Sequence, residues 1–296
     1  MDTPCSSTTH DWHGNQEERG LDKLRELLAA APALQVVEAS VVCKWSSARA
    51  LLRHEPPFQP LRLRCLDIDL NNHDRDVAAL VADLSAHPSL TTLALSCHER
   101  TPLTRAELDA VATTALAIRL PTLRLFECCL APETVPALVR LLGSSALTEL
   151  HIEQTETWSS LLDEHSAALL AEALHANRTL RRLTLRAVLW NDARREASFL
   201  EGLVGHPSLS SLNISFNSLI HPNLEEQMLV DAAEAAVVVG AALGALVAAD
   251  APALQELHLT FMNLDDGGLF PLCQALPRNT HLRKLNVSHT RLSLHN

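Results

Sequence analysis

With 296 residues, 47% of them hydrophobic but only 3% aromatic and none Tyr, the chain is long for one compact core and poor in the ring surface that usually fills one. Its formal charge of −11 argues against the basic faces that neutralise nucleic-acid phosphates, so no nucleic-acid partner is expected, and a basic protein partner is mildly favoured.

Residues 1–20 are polar and aperiodic, with no apolar segment of a secretory signal, and are expected to form a disordered tail. Cys5, His10 and His13 lie in that tail, but no second cluster completes a four-ligand zinc site, and no metal or other cofactor is expected. The seven cysteines (Cys5, Cys43, Cys65, Cys97, Cys128, Cys129 and Cys273) show no paired spacing, which points to a reducing compartment and a cytoplasmic location.

A single domain is expected over 21–296. It opens at Leu21, Leu24, Leu27 and Leu28, whose helical spacing predicts a capping helix over 21–33, and a weak strand follows at Leu34–Ala39. Clearer strand segments then begin at Leu63, Leu90, Leu120, Leu147, Leu180, Leu209, Leu254 and Leu282, with separations of 27, 30, 27, 33, 29, 45 and 28 residues. Each interval has room for an α-helix, and Val77, Leu80, Val81 and Leu84 show the three-four spacing of one buried helical face.

The same helix-to-strand joint recurs four times. It reads Leu84-Ser-Ala-His-Pro-Ser-Leu90, Leu174-His-Ala-Asn-Arg-Thr-Leu180, Val204-Gly-His-Pro-Ser-Leu209 and Leu276-Pro-Arg-Asn-Thr-His-Leu282. The longest interval, 220–253, holds the uncharged run Ala235–Ala249, too short to span a bilayer; it predicts a long Ala-rich helix whose small residues let it lie close to its neighbours. No membrane partner is expected. Asp265-Asp266-Gly267-Gly268 lacks the alternating oxygen ligands of a calcium loop and is read as a turn and helix start.

The segment Leu209-Ser-Ser-Leu-Asn-Ile-Ser-Phe-Asn-Ser-Leu219 states the underlying unit most cleanly, with apolar residues at positions one, four, six and eleven and Asn217 at position nine. It resembles the strand segment of leucine-rich-repeat proteins. The recurring joint and the period resemble the ribonuclease-inhibitor-like subfamily. The resemblance implies an α/β solenoid, a horseshoe of eight or nine repeats with a parallel β-sheet on the concave face and α-helices on the convex face. At position nine, Asn71, Cys128, Asn217, Thr155 and Thr290 fit or nearly fit, whereas His98, Val188 and Met262 depart, so irregular turns are expected there.

In such a solenoid, residues at equal positions of successive repeats become spatial neighbours. Position five then aligns Asp67, Arg124, His151 and His258, position seven aligns Asp69, Phe126, Glu153 and Arg186, and position eight contributes Phe216 and Phe261. These ten are the candidate partner-binding residues, with Phe216 and Phe261 expected to stack if the long interval leaves the sheet continuous. No phosphate loop, zinc-protease motif or nucleophile elbow is present, and the scattered histidines, His87 and His206 among them, are read as structural rather than catalytic.

The resemblance implies a non-catalytic scaffold that binds a protein partner on its concave face. Two relatives of the same repeat class supply alternatives. One is a GTPase-activating protein, for which Arg100, Arg194 or Arg195 would be tested; the other is the substrate-recognition subunit of a ubiquitin ligase. Leu282, Leu285, Val287 and Leu292 have no covering helix after them, so self-association through the C-terminal repeat is a further expectation.

Overall fold

The computed structural model describes residues 23, 26, 30, 37–44, 48, 61–70, 76–97, 103–128, 131–154, 163–188, 193–216, 226–262 and 264–290. The expected tail over 1–20, most of the cap over 21–33, and Asn71, His98, Arg100, Thr155, Asn217 and Leu292 lie outside the described residues.

Nine strands follow one another in chain order across one parallel sheet: β1 (Val37–Lys44), β2 (Leu61–Asp69), β3 (Thr92–Ser96), β4 (Thr122–Phe126), β5 (Glu149–Glu153), β6 (Arg182–Arg186), β7 (Ser211–Asn213), β8 (Glu256–His258) and β9 (Lys284–Asn286). Among the described residues, seven helices take the return paths from β2 onward: α1 (Val77–Leu84), α2 (Arg105–Ala117), α3 (Val135–Leu142), α4 (Glu164–Ala176), α5 (Ala193–Gly202), α6 (Glu226–Ala248) and α7 (Asp266–Ala275). Parallel pairing requires such a crossover between every two strands. The result is an α/β solenoid with one strand per coil.

Pairing is residue for residue. Leu66, Leu93, Leu123, Leu150, Leu183, Leu212, Leu257 and Leu285 form one unbroken row at position four. Position one, from Leu63 to Leu254, is equally buried, and the helices close over both rows with residues such as Leu80, Leu108, Leu138 and Leu170. In the last repeat Leu282, Leu285 and Val287 are only half-buried.

The strand expected at Leu34–Ala39 is met at Val37–Ala39 by β1, which runs on to Lys44; residues 34–36 lie outside the described residues. Pairing with β2 from Val37 opposite Leu61 to Lys44 opposite Asp69 sets its limits, with a register shift between Ala39 and Ser40 that the short apolar pattern does not announce. At position nine, Val188 and Met262 do not leave a gap; both bury their apolar side chains in the core.

The recurring joint is held by side chains. Asn177 accepts the Thr179 and Leu180 amides on its Oδ1 at 2.8 and 2.7 Å, and Asn279 does the same for His281 and Leu282 at 3.1 and 2.7 Å. The Asn279 Nδ2 donates to the Val247 carbonyl of the preceding repeat at 2.7 Å. His206 replaces the Asn with an imidazole, its Nδ1 accepting the Leu209 amide at 3.1 Å. Burial first, and then the charge of Arg178, lower the His206 pKa, which keeps the ring neutral and able to accept. In three repeats the residue before position one adds a hydroxyl bond to the preceding repeat, Ser89 to the Leu63 carbonyl, Thr179 to that of Leu147 and Ser208 to that of Leu180.

Acidic or hydroxyl side chains cap several helices, among them Thr104, whose capping box with Glu107 starts α2, and Asp265, which accepts the Gly268 amide at 2.9 Å. The latter bears out Asp265–Gly268 as a helix start. The 45-residue interval between Leu209 and Leu254 is taken up by α6, and the sheet does not register it, since Leu212 still faces Leu257. The small residues of α6 seat α7: a methyl on Gly240 would lie 1.8 Å from the Gly268 carbonyl oxygen, and one on Gly244 would lie 2.8 Å from the Pro271 ring.

One side chain contradicts its surroundings. Glu196 on α5 is 3% exposed, and its Oε1 has no hydrogen-bond partner. Burial raises its pKa from 4.5 to about 8, so the carboxyl is held protonated at neutral pH.

Two predictions follow from this packing. Gly240→Ala forces α6 and α7 apart and lowers stability by about 1–3 kcal/mol, read as an earlier midpoint in urea unfolding; an unchanged midpoint would contradict the close crossing. For Glu196 the folded state binds more protons than the unfolded state between pH 4.5 and about 8, so stability falls as pH rises through that window. Glu196→Gln flattens this slope, and Glu196→Met stabilises the chain at pH 8 by on the order of 3 kcal/mol, both measured by thermal unfolding at several pH values.

Candidate interaction surface

The concave face is built from the residues of each strand that point away from the leucine rows. Its geometry is set by the turn that ends each strand. At position eight the backbone enters the left-handed region in Glu127, Ala187, Phe216, Phe261 and His289, with φ of 54°, 51°, 64°, 56° and 59°. There the amide donates to the position-seven carbonyl of the next repeat, as Phe216 to Thr260 at 2.8 Å and Phe261 to Ser288 at 3.0 Å. Side chains at position eight therefore leave the turn in the same direction, one repeat apart.

The consequence is a ladder of flat groups. Phe216 and Phe261 stack at 4.6 Å between centroids with 22° between planes, and Phe261 stacks on His289 at 4.2 Å and 7°. The Arg186 guanidinium lies over the other face of Phe216, 4.6 Å from its centroid. Arg186 in turn donates to the Glu153 carboxylate at 2.6 Å, and the other Glu153 oxygen pairs with the His151 Nε2 at 3.0 Å. His151 then meets Phe126 at 5.0 Å. One connected file of side chains thus runs from β4 to the turn after β9, roughly 24 Å at about 4.8 Å per strand.

The expected stack of Phe216 on Phe261 is present, and six of the ten candidate residues (Phe126, His151, Glu153, Arg186, Phe216 and Phe261) fall in this file. The other four do not join it. Asp67 and Asp69 sit at the N-terminal end on β2; burial raises the Asp67 pKa, opposed by the charge of Arg124 and reinforced by that of Asp69. Arg124 lies two strands away on β4, beyond Ala94. His258 is held 3.7 Å from Glu256 on its own strand. His289 was not among the sequence candidates, although it occupies position eight of the last repeat as Phe216 and Phe261 do of theirs; the register alone could have found it.

A bulky side chain in the left-handed region costs about 1–2 kcal/mol, and Gly or Asn would cost less. An aromatic stack returns about 0.5–1.5 kcal/mol and an exposed cation–π contact about 0.5–1 kcal/mol, so the terms roughly cancel. Yet Phe216 and Phe261 remain 36% and 42% exposed, which leaves apolar ring edges facing solvent.

Chemistry is less apparent. Among the described residues no three His, Cys, Asp or Glu side chains converge as metal ligands, and no helix is long and apolar enough to cross a membrane. The Glu153 carboxyl is acidified by the His151 hydrogen bond first and by Arg186 besides, against the opposing effect of burial. Arg194 and Arg195 stand at the start of α5, in the helical layer. A hollow of about 600 Å³ opens between α3 and α4, and none of the sheet residues above lines it.

Sequence comparison adds no identity: no family model and no curated protein matches the chain. Among solved structures, the leucine-rich repeat-containing protein LegL7 from Legionella pneumophila is similar over 84% of this chain and 72% of its own, at 17% identity and a TM-score of 0.45.

The electrostatic heart of the file is testable by itself. In His151→Ala the Glu153 carboxyl titrates at higher pH than in the intact chain, because its largest acidifying contact is gone; carboxyl-detected NMR reads this directly, and an unmoved pKa would sink the arrangement.

Proposed function

We propose that the chain is a non-catalytic interaction scaffold that binds a protein partner on its concave face, with the Phe216–Phe261 stack as the apolar anchor and the Arg186–Glu153–His151 group as its polar flank. The observation that carries this reading is the pair of half-exposed phenylalanines held in strained turns where a smaller residue would cost less. Aromatic side chains desolvated at the centre of a contact supply much of an interface's energy, and polar groups around them set orientation. Asp67 and Asp69 give the N-terminal end an acidic character, which favours a partner with basic groups there. The scattered spacing of the cysteines supports a cytoplasmic setting. Self-association through the half-buried Leu282, Leu285 and Val287 is a separate proposal, read by the chain's mass in solution.

The test compares the intact chain with a Phe216→Ala/Phe261→Ala variant and with Phe270→Ala, which removes an aromatic side chain 60% exposed on α7. Affinity capture from a native lysate, after each protein is checked for folding, should recover a partner with the intact chain and with Phe270→Ala. The double variant should lose it by tenfold or more, the equivalent of about 1.4 kcal/mol. Equal capture by the double variant would move the binding surface off the concave face.

A further inference from the structure

We propose that Cys97 and Cys128 form an oxidisable dithiol, a modification site that a small peroxide converts into a disulfide between consecutive repeats. Cys97 is at position eight of the repeat that carries β3, and Cys128 is at position nine of the repeat that carries β4. Their sulfur atoms are 3.3 Å apart, and both side chains are buried. The Cys97 amide donates to the Phe126 carbonyl at 2.9 Å, which ties the two strand ends together immediately beside the thiols.

Neighbouring strands run about 4.8 Å apart, and a disulfide accepts Cα separations of about 4.4–6.8 Å. The sulfur atoms need to approach by roughly 1.3 Å to reach a bonded length near 2.0 Å.

The single Cys128 S–H has three acceptors within reach, the Cys97 sulfur at 3.3 Å and the carbonyls of Phe126 at 3.2 Å and Leu95 at 3.5 Å. Either thiol can open the reaction, for instance Cys97. Its sulfur attacks one peroxide oxygen, the O–O bond breaks, and a sulfenic acid forms with release of one water. The Cys128 sulfur then attacks the Cys97 sulfur and expels the hydroxyl as a second water. In sum, two thiols and one hydrogen peroxide give one disulfide and two waters; each sulfur gives up one electron and the peroxide takes two. Burial obstructs a bulky oxidant such as glutathione disulfide.

The link would staple β4 to β3 directly behind Phe126, the first residue of the side-chain file. That consequence rests on the interaction surface proposed above; the formation of the bond does not.

The experiment treats the full chain, folded, with hydrogen peroxide, then denatures it in N-ethylmaleimide and measures intact mass and cross-linked peptides. The expected result is a chain that carries two fewer maleimide adducts than the untreated protein and lacks two further hydrogens, reversed by dithiothreitol before alkylation and mapped to Cys97 joined to Cys128. Cys97→Ser and Cys128→Ser should each abolish it, with circular dichroism confirming that they fold; if either does not, the mapping on the intact chain still decides. The proposal is overturned if both thiols remain open to alkylation at a peroxide dose that has already oxidised the exposed Cys273, or if the link maps to Cys129 instead. Binding of a partner plays no part in this readout, so its outcome is independent of the fate of the concave-face reading.

Discussion

Everything in this molecule depends on parallel strands paired in exact step. Because Leu66 faces Leu93, and each later position-four leucine faces the next through Leu285, a single apolar row is generated by repetition rather than by three-dimensional fitting. A slip of one residue would send that row to solvent and the charged row inward. The joints guard against such a slip. Asn177, His206 and Asn279 each fix the entry of their strand by accepting amide protons that the bend would otherwise leave buried and unbonded.

The same step that builds the core builds the surface. Position eight is left-handed in five of the described repeats, so a residue there is aimed by the fold rather than by its own preference. Where it is Ala187, the aim has no result beyond a turn. Where Phe216, Phe261 and His289 follow in order, it produces a stack, and Arg186 and Glu153 extend that stack into the charged middle of the sheet. The polar joint and the aromatic file are thus two products of one periodic backbone.

Much of this was legible in the sequence because periodicity is a property of the sequence itself. The spacing of leucines gave the strands from β2 onward, the four joints gave the helix ends, and the alignment of position eight gave the pairing of Phe216 with Phe261 across a 45-residue gap. What escaped was of two kinds. Contacts between different positions, such as Arg186 over Phe216 or Cys97 beside Cys128, do not fall in one column of the repeat. Environment also escaped, since the letters around Glu196 read as an ordinary charged helix and only the burial of α5 against its neighbours makes that carboxyl an anomaly. The first strand was read too short for a third reason: β1 continues past Ala39 to Lys44 along β2, across a register shift that its own residues do not announce.

The helix α6 is 23 residues long, yet β7 and β8 meet as closely as strands joined by far shorter returns. Length added on the outer side is invisible on the inner side. The concave face therefore measures distance in coils, not in residues, and its pattern of groups behaves like the teeth of a comb whose handle can thicken locally without altering their pitch. Mutational drift in the outer layer and selection on the inner one can proceed on separate clocks, and a chain of this design can change its bulk, its surface chemistry or its outer contacts while presenting the same file of side chains.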